Sequence, residues 1–178
     1  MCTRIIFAMI KIKFLMKKLC ICLLISLFFS GNILAQNQPI TIKNIESRNS
    51  SGETLYFNFE KATPVSENES WDIGFNRTTI FVKGAYALVE DKFENVNKIP
   101  DGLNFNQSEK ASIRDWYEYN PEFHIVSALS GKTYIIRLKD NQKVYKFKVG
   151  SYYKDAPALP EPGKSEPGFY TFMYQLIK

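Results

Sequence analysis

Residues 133–153 read TYIIRLKDNQKVYKFKVGSYY. Two alternating apolar segments, Thr133–Leu138 and Val144–Tyr153, flank Asp140-Asn141, and this arrangement predicts an antiparallel hairpin. In the second arm Tyr145, Phe147 and Val149 fall on one face while Lys146 and Lys148 fall on the other, the period of two that a strand imposes. Phe169 to Ile177 repeats the alternation, with Tyr170, Phe172, Tyr174 and Leu176 on one side. Between these segments, Ala156 to Pro167 carries Pro157, Pro160, Pro162 and Pro167, which predicts a loop unable to donate to a ladder. Working outward, the same pattern predicts strands at Pro39–Glu46, Thr54–Phe59, in two pieces of Trp71–Val82 around Asn76-Arg77-Thr78, and at Ala85–Val89. Asn49–Gly52 and Pro100-Asp101-Gly102 are turn clusters. Asn95 to Gln107 is weakly patterned, and Ser108 is a fitting N-cap for a short helix reaching Asp115. The expectation is one all-β, antiparallel domain.

The first 35 residues differ from the rest. Met16-Lys17-Lys18 is a short basic start, followed by an apolar run from Leu19 to Phe29 and by Ser30–Ala35. This order predicts a secretory signal peptide over residues 1–35, with Met16 as an alternative start, and a mature domain over residues 36–178. The rival reading is a membrane anchor from Ile5 to Phe29, a stretch interrupted by Lys11, Lys13, Lys17 and Lys18. The formal charge of +5 belongs to this segment, which holds five of the 23 basic residues and none of the 18 acidic ones. The remainder balances 18 basic against 18 acidic side chains, so composition gives no reason to expect a nucleic-acid partner. All three cysteines (Cys2, Cys20, Cys22) also lie in the segment, none where a lipoprotein would be acylated. The mature protein is therefore expected to be periplasmic, at the outer surface or secreted, without a stable membrane span and without disulfides.

Motifs for catalysis are scarce. His124 is the only histidine. No glycine-x-serine-x-glycine elbow, phosphate-cradling glycine loop or zinc-like cluster accompanies it. A hydrolase built on Ser130 and His124 is the one enzymatic alternative, and the expectation is a binding protein. The informative excess is aromatic: residues 36–178 hold 10 Phe, 10 Tyr and 2 Trp. Strand faces absorb most of them as core. The run Trp116-Tyr117-Glu118-Tyr119-Asn120-Pro121 cannot bury all its rings in any regular element, so it either presents rings to a flat apolar ligand or packs beneath the segment before it.

Three stretches together resemble the HmuY family of bacterial haem-binding proteins: Trp71-Asp72-Ile73-Gly74-Phe75-Asn76-Arg77; Thr133–Arg137 leading through Asp140 into Val144–Val149 and Tyr152-Tyr153; and Gly168–Tyr174 as the closing strand. The resemblance implies an all-β secreted or surface protein that binds b-type haem for iron acquisition and hands it to a TonB-dependent outer-membrane receptor. It also implies axial ligation of the iron by two side chains, histidine or methionine. This chain departs from the pattern where the founding member places a histidine: Asn120-Pro121 stands there, and Asn95 to Gln107 holds neither His nor Met. The remaining soft ligands are His124 and Met173, both axial candidates. Trp116, Tyr117 and Tyr119 are candidate haem-contact rings, and Tyr117, Tyr119 or Tyr152 could offer an oxygen to ferric iron. The alternative is an HmuY-like accessory or interaction domain that binds no haem.

Overall fold

The structure, a computed structural model, describes residues 38–47, 52–108, 111–140 and 142–177. The expected signal peptide, the alternative start at Met16, the three cysteines and most of the Asn49–Gly52 turn lie outside the described residues. Among those described, the chain forms strands and no helix: β1 Ile40–Glu46, β2 Leu55–Asn58, β3 Thr63–Val65, β4 Ile73–Asn76, β5 Thr79–Val82, β6 Gly84–Val89, β7 Ser112–Ile113, β8 Tyr117–Asn120, β9 Ile125–Ala128, β10 Thr133–Leu138, β11 Val144–Tyr153 and β12 Pro167–Leu176. One sheet has the order β1-β12-β11-β10-β6, a second the order β3-β2-β4-β5-β7, and β8 pairs with β9 alone. Every pairing is antiparallel. The hairpin arms β10 and β11 have the boundaries expected from the alternation.

The two larger sheets face each other through aromatic rings. Phe57 of β2 meets Phe172 of β12 edge-on at 5.2 Å, Phe75 of β4 lies 4.5 Å from Tyr170, and Phe59 lies 4.6 Å from Tyr174. Such offset and edge-to-face geometry suits the ring quadrupoles. The buried phenols also bind the facing sheet by hydrogen bonds: Tyr174 Oη donates to the Phe59 carbonyl and Tyr170 Oη to the Arg77 carbonyl, both at 2.8 Å. Asp72 completes this corner. Its carboxylate accepts the Phe59 N–H at 2.7 Å, and burial raises its pKa above the ordinary carboxylate value.

The other face of the first sheet is covered too. Val96, Ile135 and Val144 are buried together, with Val89, Ile99, Leu103, Phe105 and Ile177 packed around them. The weakly patterned 95–107 segment thus roofs β10 and β11 without forming a named strand. Beneath it, Lys146 points away from the main core, as its alternation requires, yet is buried. Its ammonium donates to the Phe93 carbonyl at 2.9 Å and lies 4.3 Å from the Phe93 ring centre. Burial lowers its pKa, because the charged form has lost water.

The helix expected from Ser108 to Asp115 is replaced, in its described part, by β7: Ile113 pairs with Ile80 and Ser112 with Phe81. Ala111 and Ile113 are both buried, and the gain from placing them in the core outweighs a capping preference worth about 1 kcal/mol.

The outermost strands are irregular. β1 carries a register shift between Ile42 and Ile45, where Asn44 adopts φ +58° and exchanges two hydrogen bonds with Asp155. β3 contains Pro64, β7 has two residues, and β6 is capped by a bridge between Tyr86 and Asn106.

Gly84 joins the two sheets. It has φ +152°, and a Cβ placed there would lie 2.1 Å from the Arg137 carbonyl oxygen on β10. Gly84→Ala is expected to cost about 2–3 kcal/mol through strain and strand separation, read as a lower denaturant midpoint at unchanged slope. An unaltered midpoint would contradict the contact.

Candidate functional site

The β8–β9 hairpin carries the only histidine. Asn120 Oδ1 accepts the backbone N–H groups of Glu122 and Phe123 at 3.0 and 3.1 Å, a side-chain-mimicked turn of the kind asparagine favours. His124 closes the turn at φ +54°. The hairpin is rooted at its other end. Trp116 is 1% exposed, its indole N–H donates to the Thr78 carbonyl at 2.8 Å, and its carbonyl accepts the Leu129 N–H. The Val126 N–H donates to Tyr153 Oη at 3.0 Å. A fixed root therefore presents an exposed tip with Phe123, His124 and Tyr119.

At the tip, Tyr119 Oη and His124 Nδ1 are 2.5 Å apart. Either atom can supply the proton, depending on the tautomer. With the proton on Nδ1, the imidazole donates to Tyr119 and Nε2 keeps a free lone pair, the state in which histidine ligates a metal. His124 lines a cleft of ≈ 400 Å³ with Phe123, Ile125, Tyr153 and residues 161–167. The opposing wall is stiffened internally: the Glu161 N–H donates to Ser165 Oγ at 2.9 Å, the Ser165 N–H returns to the Glu161 carbonyl at 3.0 Å, and Lys164 pairs with the Glu161 carboxylate at 2.6 Å.

The other candidate residues are distributed around this hairpin and beyond it. Trp116 belongs to the core, with its ring 5.4 Å from Tyr170 and 6.0 Å from Tyr152. Tyr117 is half-buried beside it, at 4.8 Å. Tyr152 is buried as well. Tyr119 is 48% exposed. Met173 pairs with Thr41 and Lys148 in the first sheet and is not among the residues lining the His124 cleft. Among the described residues no group of three His, Cys, Asp or Glu is gathered to hold a metal ion. None of them forms a helix long and apolar enough to cross a membrane.

Sequence reading did not anticipate Tyr153 as an anchor of the hairpin, nor the prolines as a cleft wall. Both depend on contacts between segments distant in the chain, which periodicity does not encode.

The sequence matches no family model and no curated protein. Solved structures do match. The apo HmuY analog of Tannerella forsythia superposes with a TM-score of 0.56 at 16% identity, over 79% of this chain and 95% of that one. Apo PinO from Porphyromonas gingivitis superposes with a TM-score of 0.54 at 12% identity, over 81% of this chain and 98% of that one. The fold is HmuY-like, and at these identities the likeness is one of fold.

Proposed function

We propose that the chain is an exported haem- or porphyrin-binding protein without enzymatic activity, whose ligand sits at the tip of the β8–β9 hairpin. One observation carries the reading: the sole histidine is exposed on a rooted hairpin, its ring is held by Tyr119, and it lines a cleft with Phe123, Ile125, Pro162 and Pro167. The wall facing this histidine also carries Glu161, Lys164, Ser165 and Glu166. The cleft thus pairs apolar patches and one imidazole with polar groups at its rim, a combination that suits a flat macrocycle with one protein axial ligand and polar side groups. A bound haem would supply an iron that accepts an imidazole nitrogen. In this reading His124 is the axial residue and Tyr119 orients it. Phe123 would cover the macrocycle, while Trp116 and Tyr117 hold the hairpin in place. The HmuY-like fold is in keeping with a surface or secreted setting, and in this reading the haem would pass on to a TonB-dependent receptor.

Titration of haemin into the purified protein is expected to give a saturable, shifted Soret band. His124→Asn removes the imidazole while keeping a residue that tolerates the left-handed backbone. It should abolish or displace that band without lowering the melting temperature. A Soret spectrum identical to that of free haemin would overturn the proposal. A second reading, an HmuY-like interaction domain without haem, is favoured by one fact: Met173, the other soft side chain of the mature region, does not line the His124 cleft. Its outcome would be no spectral change together with co-purification with an outer-membrane receptor.

A further inference from the structure

A second cleft, of ≈ 630 Å³, opens where the β5–β6 corner meets the end of β10. Trp71, Lys83, Gln107, Arg137, Lys139 and Asp140 are among its lining residues. Three cations thus face one carboxylate. Lys83 pairs with Asp140 at 3.0 Å. Among the described residues, neither Arg137 nor Lys139 has a carboxylate within ion-pair distance. Among the described lining residues, Arg137 and Lys139 are thus cations in excess of the one carboxylate, while Lys83 also feels the buried Asp72.

The geometry of Arg137 adds selectivity. Its guanidinium carbon lies 4.0 Å from the centre of the Phe105 ring. This contact places the ring against the guanidinium carbon, and the five N–H donors, which lie in the guanidinium plane, form the edge that grips a carboxylate or phosphate with two parallel hydrogen bonds. The backbone beneath is fixed: the Lys83 N–H donates to the Asp72 carbonyl at 2.9 Å and the Lys139 N–H to the Lys83 carbonyl at 3.2 Å. Trp71 supplies an aromatic wall, braced by Tyr56 at 4.8 Å and with the Lys83 ammonium 5.6 Å from its ring centre. An anion entering here meets an Arg137 already held against Phe105, which lowers the cost of ordering that side chain on binding.

We propose that this cleft binds a small planar ring compound bearing an oxyanion, either a carboxylate or a phosphate monoester. Arg137 takes the oxyanion edge-on, Lys139 and Lys83 add to the field, and the ring lies against Trp71. The site is separate from the His124 cleft and does not depend on the haem reading.

Calorimetric titration with 2-naphthoate, 2-naphthyl phosphate and the neutral 2-naphthamide tests the proposal. At least one of the two anions should bind saturably, and the amide on the order of tenfold more weakly or worse, the loss expected when charge-assisted hydrogen bonds become neutral ones. The preferred anion distinguishes the two oxyanion types. Arg137→Gln should weaken it by about tenfold or more, and Arg137→Lys should fall between, since it keeps the charge but loses the fork. Lys139→Gln, at an exposed position, should weaken binding severalfold with an unchanged melting temperature, and it decides the matter should the Arg137 variants unfold. Lys139→Gln should also leave the haemin titration unchanged, so failure at one cleft is distinguishable from failure at the other. Equal affinity for naphthoate and naphthamide, no saturable binding of either anion, or full affinity in Lys139→Gln would overturn the proposal.

Discussion

The domain is expected to unfold in one steep step on the alkaline side of pH 10. Four buried tyrosines set this behaviour. Burial, followed by the charge of Asp72, pushes Tyr145 and Tyr174 up to about 12 from an ordinary value of 10.0. Burial raises Tyr134 and Tyr170 further. For Tyr134 the hydrogen bond to Asp115 at 2.9 Å adds to the effect, and for Tyr170 the neighbouring Tyr152 and Tyr117 do so. The unfolded chain releases these protons near pH 10 while the folded one keeps them. Raised folded-state values mean that the stabilisation is complete below pH 10 and is lost as pH climbs toward 12 and beyond. Each phenol contributes about 1.4 kcal/mol per pH unit in that window, so four together remove on the order of 5 kcal/mol per unit. Lys146 acts in the opposite sense just below its ordinary 10.5, because its lowered value leaves the unfolded state holding more protons, but it is one group against four. A domain stable by about 5–15 kcal/mol would be exhausted within two or three units. Tyrosinate absorbance should rise cooperatively, together with the loss of near-ultraviolet circular dichroism. Gradual ionisation of these four phenols from pH 10 with the sheet signal intact would refute the argument.

Trp116→Ala is expected to destabilise the domain by about 4 kcal/mol, because it empties a large volume between Tyr170 and Tyr152 and leaves the Thr78 carbonyl without its donor. For a domain of this size that corresponds to a melting temperature lower by roughly 15 °C. Trp116→Phe keeps a ring but loses the indole N–H, and should cost about 2 kcal/mol. The same changes should loosen the hairpin they root, visible as faster amide exchange at Val126 than at core strand positions such as Phe147. A surface tryptophan would cost less than about 1 kcal/mol on truncation, so a small effect would remove Trp116 from the core.

Particular residues show why the sheet was readable from the chain and the site less so. Tyr145, Phe147 and Val149 alternate against lysines, and Tyr170, Phe172 and Tyr174 repeat the pattern, so β10, β11 and β12 follow from local order alone. Lys146 marks the limit: alternation gives its direction but not the covering segment, because Val96, Ile99, Leu103 and Phe105 are spaced without a period. The Ser108 cap was a local preference overridden by burial of Ala111 and Ile113. At the hairpin, His124 stands out in the chain as the sole histidine and Tyr119 as one ring of the Trp116–Pro121 run, but the run does not say which of its rings face outward. The burial of Trp116 was not legible there either, since it depends on Thr78 and Tyr170, remote in the chain. Arg137 in the otherwise apolar run Thr133–Leu138 was a usable clue to the second cleft, one that a search for catalytic motifs passes over.

The bulge at Asn44 bears on crowding. Together with Pro64, the two-residue β7 and the Tyr86–Asn106 bridge, it leaves the outer margins of both sheets kinked, shortened or capped. Among the described residues, the edges of the two larger sheets offer a neighbouring molecule no long straight row of vacant amides on which to add a further strand. Such margins disfavour the edge-to-edge pairing through which a tyrosine- and phenylalanine-rich sandwich would otherwise join its neighbours.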